Sequence, residues 1–505
     1  MPAADYPAKT FQFHRFVSGH LADRYERPKG ELHQWPPIQV SYLDNYIAVL
    51  GCKTIIEETH YVDRDYIADL SLFYGKSLRN YPNFCRRLHF FDEAIDIRRW
   101  RRLVAAARKD IDKVGQNLSG HYLGFSVVRP LPGHPIGRTV VKTLGPKATD
   151  GERIFAPIRP YVVHLGGLRL HTDGLAFQQQ DQGVSACATT AVWTALHSSA
   201  HTESLKLPAP ADITQAASRY LMMNGRTLPS EGLAIQQICE AIRDSGLAPV
   251  LVRATRTAVD RGVLDTYLRS GFPAVLAVIP ESSGPGEAGH AICAVGAKIG
   301  TVQPQTNPAL AYRDGSTALK AVYVHDDRLG PYAVARLGAI TTPGEQEPRT
   351  NLVIKWPLAN FDEESVRLHS IVVPMPVKVR LPVTRLRALG HLVAQALGTA
   401  LPDFKGALTM TCRYLLATDY ARRIIQSDVS AAGIERLTSK SALSRYIGII
   451  EIAGPDAPFL DVLLDCTEAV ENPSVVATIL RTPQSTAVTS IVNKLSISLG
   501  SQLIM

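Results

Sequence analysis

Two short runs hold side chains suited to nucleophilic catalysis. In QQQDQGVSACATTAVWTAL, Cys187 stands where polar, turn-prone residues give way to the helix-forming stretch Ala191 to Leu196. This places Cys187 at or near a first helical turn. Unpaired N–H groups and the positive end of the helix dipole favour the thiolate there, the form of cysteine that attacks carbonyls. Gln182 lies five residues upstream. Its side-chain amide and the backbone N–H of Cys187 sketch an oxyanion hole. Gln178, Gln179 and Gln180 are close by, and spacing selects Gln182. A base follows about a hundred residues later in GEAGHAICAVGA, where His290 opens the apolar run Ala291 to Ala297. The length and composition of that run suit a buried strand.

A third group must orient the imidazole, and AVYVHDDRLGPYAVA supplies Asp326 and Asp327 between a β-type run and a Gly-Pro turn. Cys, His and Asp at a helix start, a strand start and a strand end make the geometry of a thiol nucleophile with an oriented base. Successive strand residues face opposite sides, so only one of the two carboxylates is expected to face the imidazole. The same alternation turns Cys293 away from His290, into core packing.

The order Gln182, Cys187, His290, Asp326 resembles the papain-like cysteine peptidase superfamily. Within it the chain is most similar to the bacteriocin-processing peptidases that remove leader peptides after a double glycine. In that group a Gln precedes the Cys by about five residues, a Gly-His opens a hydrophobic strand, and a strand ending in Asp-Pro precedes a Gly-Pro-like turn. The resemblance covers roughly residues 160 to 345. The chain departs from the pattern in having Ala188 after Cys187 instead of Gly and Asp327 after Asp326 instead of Pro, and in carrying the insert TVQPQTNPALAYRDGS between His290 and Asp326. The resemblance implies a Cys187, His290, Asp326 triad with Gln182 at the oxyanion, Asp327 being the fallback for Asp326. It also implies helix, strand and histidine strand in the order that the central region shows.

Other chemistries find no matching pattern. No Cys pair has two-residue spacing and no His-Glu-x-x-His occurs, so no metal site is expected. SSGPGEAGH lacks the Lys-Ser/Thr of a phosphate loop and reads as an exposed loop leading into His290, and no cofactor is expected. The first residues hold no signal-like apolar run and no stretch is long enough for a membrane span. Seven unpatterned cysteines argue against a disulfide framework, and a cytoplasmic protein is expected. The net charge is +8. Its sharpest cluster is Arg98, Arg99, Arg101 and Arg102 around Trp100, with Asp92, Glu93, Asp96 and Asp110 nearby as pairing partners. No nucleic-acid-binding motif surrounds it. A solvated or interdomain face is expected, with an acidic protein partner left open.

At 505 residues the chain should hold about three domains. The expected division is an N-terminal α+β domain over 1–150, a papain-like domain over 151–345 and a C-terminal α+β domain over 346–505. The first mixes strand-like and helical segments: IQVSYLDNYIAVLG, a long helix from about 91 to 114, and a hairpin in YLGFSVVRPLPGHPIGRTVV. The second has a helix starting after Ser230 and ending at Gly246, the strand APVLVRA, a helix over about 260–269 and the strand PAVLAVI. The third has a β-rich VRLHSIVVPMPVKVRLP, helices around 384–399 and 405–426, and strands at IGIIEIAG and FLDVLLDCT. The overall expectation is an α+β cysteine peptidase that cuts peptide or isopeptide bonds of a specific protein substrate. The alternatives are a non-catalytic regulatory protein on the same scaffold, or a cysteine acyltransferase or deamidase.

Overall fold

Antiparallel strands dominate the sheets, and the helices pack on their faces in separate runs, as in α+β architecture. The computed structural model describes residues 11–25, 35–131, 133–148, 151–181, 183–184, 186–220, 232–281, 289–304, 307–341, 348–355, 363–435, 437, 443–467, 474–501 and 503–505.

The N-terminal part is a five-stranded antiparallel meander of Phe11–Arg15, Thr54–Tyr61, Cys85–Phe91, Tyr122–Val128 and Ile136–Val141. Its last two strands are the expected hairpin. IQVSYLDNYIAVLG forms the helix Ile38–Val49, which buries Val40, Leu43, Tyr46 and Ile47 at helical spacing. The single helix expected over 91–114 is instead two, Ile97–Ala107 and Ile111–Gly120. Each has its own aspartate cap: Asp96 accepts from Arg99 N and Asp110 from Lys113 N. A good N-cap inside a helical pattern starts a new helix there, and the break lets each helix aim its own apolar stripe.

The central sheet closes on itself as a six-stranded barrel. Ala274–Pro280, His290–Ile299, Leu319–Asp326, Gly330–Ile340, Arg349–Ile354 and Glu364–Met375 pair in turn, and the last returns to the first with Val275 opposite Val372. Alternation divides the His290 strand between two cores. Ile292 and Ala294 join the core that holds Leu276, Val322 and Val366, while Ala291, Cys293 and Val295 join the one that holds the helix Cys187–Thr202. The sheet therefore runs past residue 345 through Met375, and a boundary at 345/346 falls between two of its strands. The short pair Lys147–Ala148 and Gly151–Ile154 extends it near residue 150 through Ala297.

The C-terminal part is a six-stranded sheet ordered Arg313–Asp314, Thr409–Leu416, Tyr446–Ala453, Pro458–Asp465, Val475–Leu480 and Leu503–Ile504. The helix Val383–Ala400 packs on it. The helix expected over 405–426 is replaced by the strand Thr409–Leu416 and the helix Ala417–Ile425. In TMTCRYLL, Met410, Cys412 and Tyr414 are buried at every second position. This is a two-residue period that a helix cannot present to one core.

Candidate active site

Cys187 is the first residue of the helix Cys187–Thr202. The preceding Ala186 is extended and offers no side-chain cap, so among the described residues no side chain caps the first N–H groups. Thr190 Oγ donates to the Cys187 carbonyl at 2.8 Å. From Ala188 to Ala200 the helix is buried throughout, while Cys187 itself is half-exposed. The thiol thus stands at the accessible end of an immobilised helix. Of the other six cysteines, Cys239 is half-exposed and the rest are buried, and all seven are free thiols.

His290 opens its strand and is buried. Its Nε2 meets Asp326 Oδ1 at 2.9 Å, which leaves Nδ1 as the ring nitrogen available to the Cys187 thiol. Burial by itself would lower the imidazole pKa. The charges of Asp326 and Asp327, with hydrogen bonds to Asp326 and Cys187, override that and raise it to about 10. Burial pushes the Asp326 carboxyl upward, but the adjacent imidazolium and the Arg328 guanidinium outweigh it and hold Asp326 well below the carboxylate range. Arg328 donates its backbone N–H to Asp326 Oδ1 at 3.0 Å, and its guanidinium reaches Glu364 Oε2 at 3.1 Å. Sequence reasoning did not single out Arg328. Its signal was its place directly after the two aspartates.

No protein-family model and no curated protein matches the sequence. The site's chemistry therefore has to be read from its own geometry.

The expected separation of Asp326 from Asp327 does not occur. Asp327 is buried and its Oδ1 lies 3.7 Å from His290 Nε2. The strand ends at Asp326, and its pairing with Gly330–Ile340 slips between Val324 and Asp326. A bulge followed by a turn suspends the two-residue alternation on which the expectation rested. Burial, reinforced by the Asp326 charge and only partly offset by His290, raises the Asp327 carboxyl pKa. Its Oδ2 has no hydrogen-bond partner among the described residues.

His290, Asp326 and Asp327 place three potential ligand atoms within 4.8 Å of one another, a spacing that suits a cation as well. The imidazole between the carboxylates and the guanidinium on Asp326 already supply positive charge there. His325 takes no part. Its Nδ1 faces the Ala176 carbonyl at 3.3 Å, and burial lowers its pKa to about 3.

Gln182, Ser230 and residues 282–288 of the loop before His290 lie outside the described residues. Gln178 and Gln179 are buried. The Gln179 amide is committed to the main chain, accepting from Ile136 N at 3.2 Å and donating to Gly133 O at 3.2 Å. The loop ahead of Cys187 is instead tied down by two residues outside the expected site. Asp181 Oδ1 accepts from Gly183 N and Val184 N at 2.8 and 2.7 Å. Arg129, just past a strand of the N-terminal sheet, reaches Asp181 Oδ2 at 3.3 Å and the Gln179 carbonyl at 2.9 Å. The Asp-x-Gly spelling of an Asx turn was a visible cue for Asp181, whereas Arg129 comes from a distant part of the chain.

The insert between His290 and Asp326 has a structural use. Arg313 and Asp314 pair in parallel with Thr409 and Met410, Ala311 N donates to Gln395 Oε1 at 2.9 Å, and Arg387 reaches Asp314 Oδ2 at 2.7 Å. The additional length fastens the C-terminal sheet to the barrel.

Proposed function

We propose that the chain is a cysteine-dependent hydrolase of peptide or isopeptide bonds, built on a papain-like arrangement of Cys187, His290 and Asp326. One observation carries this reading: a half-exposed thiol at a helix start shares an imidazole with a buried carboxylate 2.9 Å from its far nitrogen. Chemically, the imidazole takes the thiol proton and the thiolate attacks the substrate carbonyl carbon. The oxyanion that forms lies by the helix N-terminus, where backbone N–H groups can receive it. The imidazolium then gives its proton to the leaving amine as the C–N bond breaks, leaving a thioester on Cys187. Water, deprotonated by the now neutral imidazole, cleaves that thioester and restores the thiol. Asp326 keeps the ring oriented and stabilises its charged form. Gln182 is the proposed side-chain oxyanion donor.

Treating the protein with a peptidyl vinyl sulfone and mapping the adduct tests the reading. Selective modification of Cys187, lost on unfolding and absent from His290→Ala, supports it. Equal modification of the native and unfolded protein would show that Cys187 is an ordinary thiol. Mass analysis of a cleaved, deamidated or transferred product then separates hydrolysis from deamidation and acyl transfer.

A further inference from the structure

The arginine cluster around Trp100 takes no part in the hydrolase reading, yet it borders a groove of about 1290 Å³. One wall is the strand Phe11–Arg15. It pairs with Thr54–Tyr61 on one side and has no strand on the other among the described residues. The opposite wall is the first turns of the helix Ile97–Ala107, contributing Ile97, Arg99 and Arg102. Phe11 and Phe13 lie against the Trp100 ring, with centroids 6.0 and 5.9 Å away, and fix the angle between strand and helix.

Both the shape and the charge of the groove are selective. An edge strand leaves alternate N–H and C=O groups pointing outward, where a second extended chain can pair with them. The half-buried Phe11, Phe13 and Phe16 and the exposed Ile97 provide apolar contact inside. Around them stand Arg15, Lys53, Arg99 and Arg102. Arg99 is paired with Glu93 at 2.8 Å. The other three are exposed and have no carboxylate partner among the described residues. Asp96, the acidic group lining the groove, is used as the cap of its helix. Three cations without a carboxylate partner among the described residues, beside an edge that no described strand pairs and an apolar floor, match an extended chain in which acidic and apolar residues alternate along one face, because Phe13 and Arg15 share a face of their strand.

We propose that an acidic peptide segment of a partner protein docks here as an added strand beside Phe11–Arg15, with its carboxylates on Arg15, Lys53 and Arg102 and its apolar side chains over Phe13 and Ile97. The groove is lined by none of the residues of the Cys187 site, and the inference stands or falls independently of the hydrolase reading.

The test is fluorescence anisotropy of the full chain with a labelled eight-residue Glu-Val peptide, two repeats of Glu-Glu-Val-Val, which shows Glu and Val in turn on each face of a strand. Four comparisons accompany it: a Lys-Val peptide, the Glu-Val peptide N-methylated at every second amide, a labelled poly(U) oligonucleotide, and the variant Lys53→Glu/Arg102→Glu. The variant's fold is checked by circular dichroism, and both positions are exposed. The Glu-Val peptide is expected to bind, with affinity falling about tenfold or more in the variant and on N-methylation, and weakening with salt. The Lys-Val peptide is expected not to bind. Equal binding of the N-methylated peptide would show charge attraction without strand addition and overturn the proposal. So would an unaffected variant, no binding at all, or tighter binding of poly(U) than of the peptide.

Discussion

Oδ1 of Asp327 lies 3.7 Å from Nε2 of His290, although Asp326 already holds the same nitrogen at 2.9 Å. One imidazole therefore sits against two buried carboxylates, and the two differ in how they can be used. Asp326 is stabilised as the anion by His290 and Arg328, while burial and the neighbouring charge raise the Asp327 pKa. Asp326→Ala is expected to lower kcat/KM by about 10²–10⁴-fold, as removal of an orienting aspartate does elsewhere. Asp327→Asn, which keeps the shape and removes only the titratable group, is expected to stay within about fivefold at neutral pH. Steady-state kinetics on any peptide cleaved by the wild type checks both, and the reverse ranking would transfer the orienting role to Asp327.

The pH profile should carry the same signature. The His290 pKa is raised to about 10, so the imidazolium persists up to that pH and is lost above it. As a contribution to stability, this is fully present below the unfolded histidine value of about 6.5 and fades as pH rises through about 10. Asp326→Asn and Asp327→Asn each remove one of the charges responsible. The alkaline limb of the Cys187 alkylation rate is expected to move to lower pH in both, and further for Asp326→Asn. A limb unmoved in both variants would mean that the carboxylates do not set the imidazole charge.

Thiol labelling should separate two cysteines of similar exposure. Cys187 and Cys239 are both half-exposed. Burial raises the Cys239 pKa, with Arg243 offsetting only part of the effect. At neutral pH iodoacetamide is expected to modify Cys187 well before Cys239 in the folded protein, and the two at similar rates after unfolding. Cys187→Ala should remove the fast phase, leave the melting temperature nearly unchanged, and abolish hydrolysis by about 10⁴–10⁶-fold. Peptide mapping by mass spectrometry reads the first two phases.

Arg129 and Asp181 form a buried pair between the N-terminal sheet and the loop that leads into Cys187. Removing one member of such a pair leaves the other charge unsolvated, at a cost of about 3–5 kcal/mol. Arg129→Met is expected to destabilise on that scale in urea unfolding. Arg129→Met/Asp181→Asn should recover part of the loss, because no full charge is then stranded. If the loop position depends on this pair, both variants will also alkylate Cys187 at altered rates.

Chelation distinguishes the thiol reading from metal chemistry at the His290, Asp326, Asp327 cluster. EDTA is expected to leave the Cys187 labelling rate and any peptide cleavage unchanged, whereas added Zn²⁺ should slow both by binding thiolate and imidazole. Loss of cleavage in EDTA, restored by one divalent cation, would place an ion among the three ligand atoms.

Local order was legible in the chain where one short segment carried its own signal. The polar-to-apolar change at Cys187 marked a helix start, and the apolar run after His290 marked a strand, because each element buries a face whose period is written in a dozen residues. In the 97–120 region Asp110 caps a second helix, and in TMTCRYLL burial at every second residue makes a strand inside a span expected to be helical. Other features depended on contacts between distant segments. Closure of the barrel needs Val275 to meet Val372, Arg129 must cross to Asp181, and Arg313 must find Thr409. No local pattern encodes these pairings, since each is selected by packing of the whole chain. The placement of Asp327 was of this second kind. Alternation along an isolated strand turns it away from His290, but the slipped register beside Gly330–Ile340 ends that alternation at Asp326 and brings both carboxylates to one imidazole.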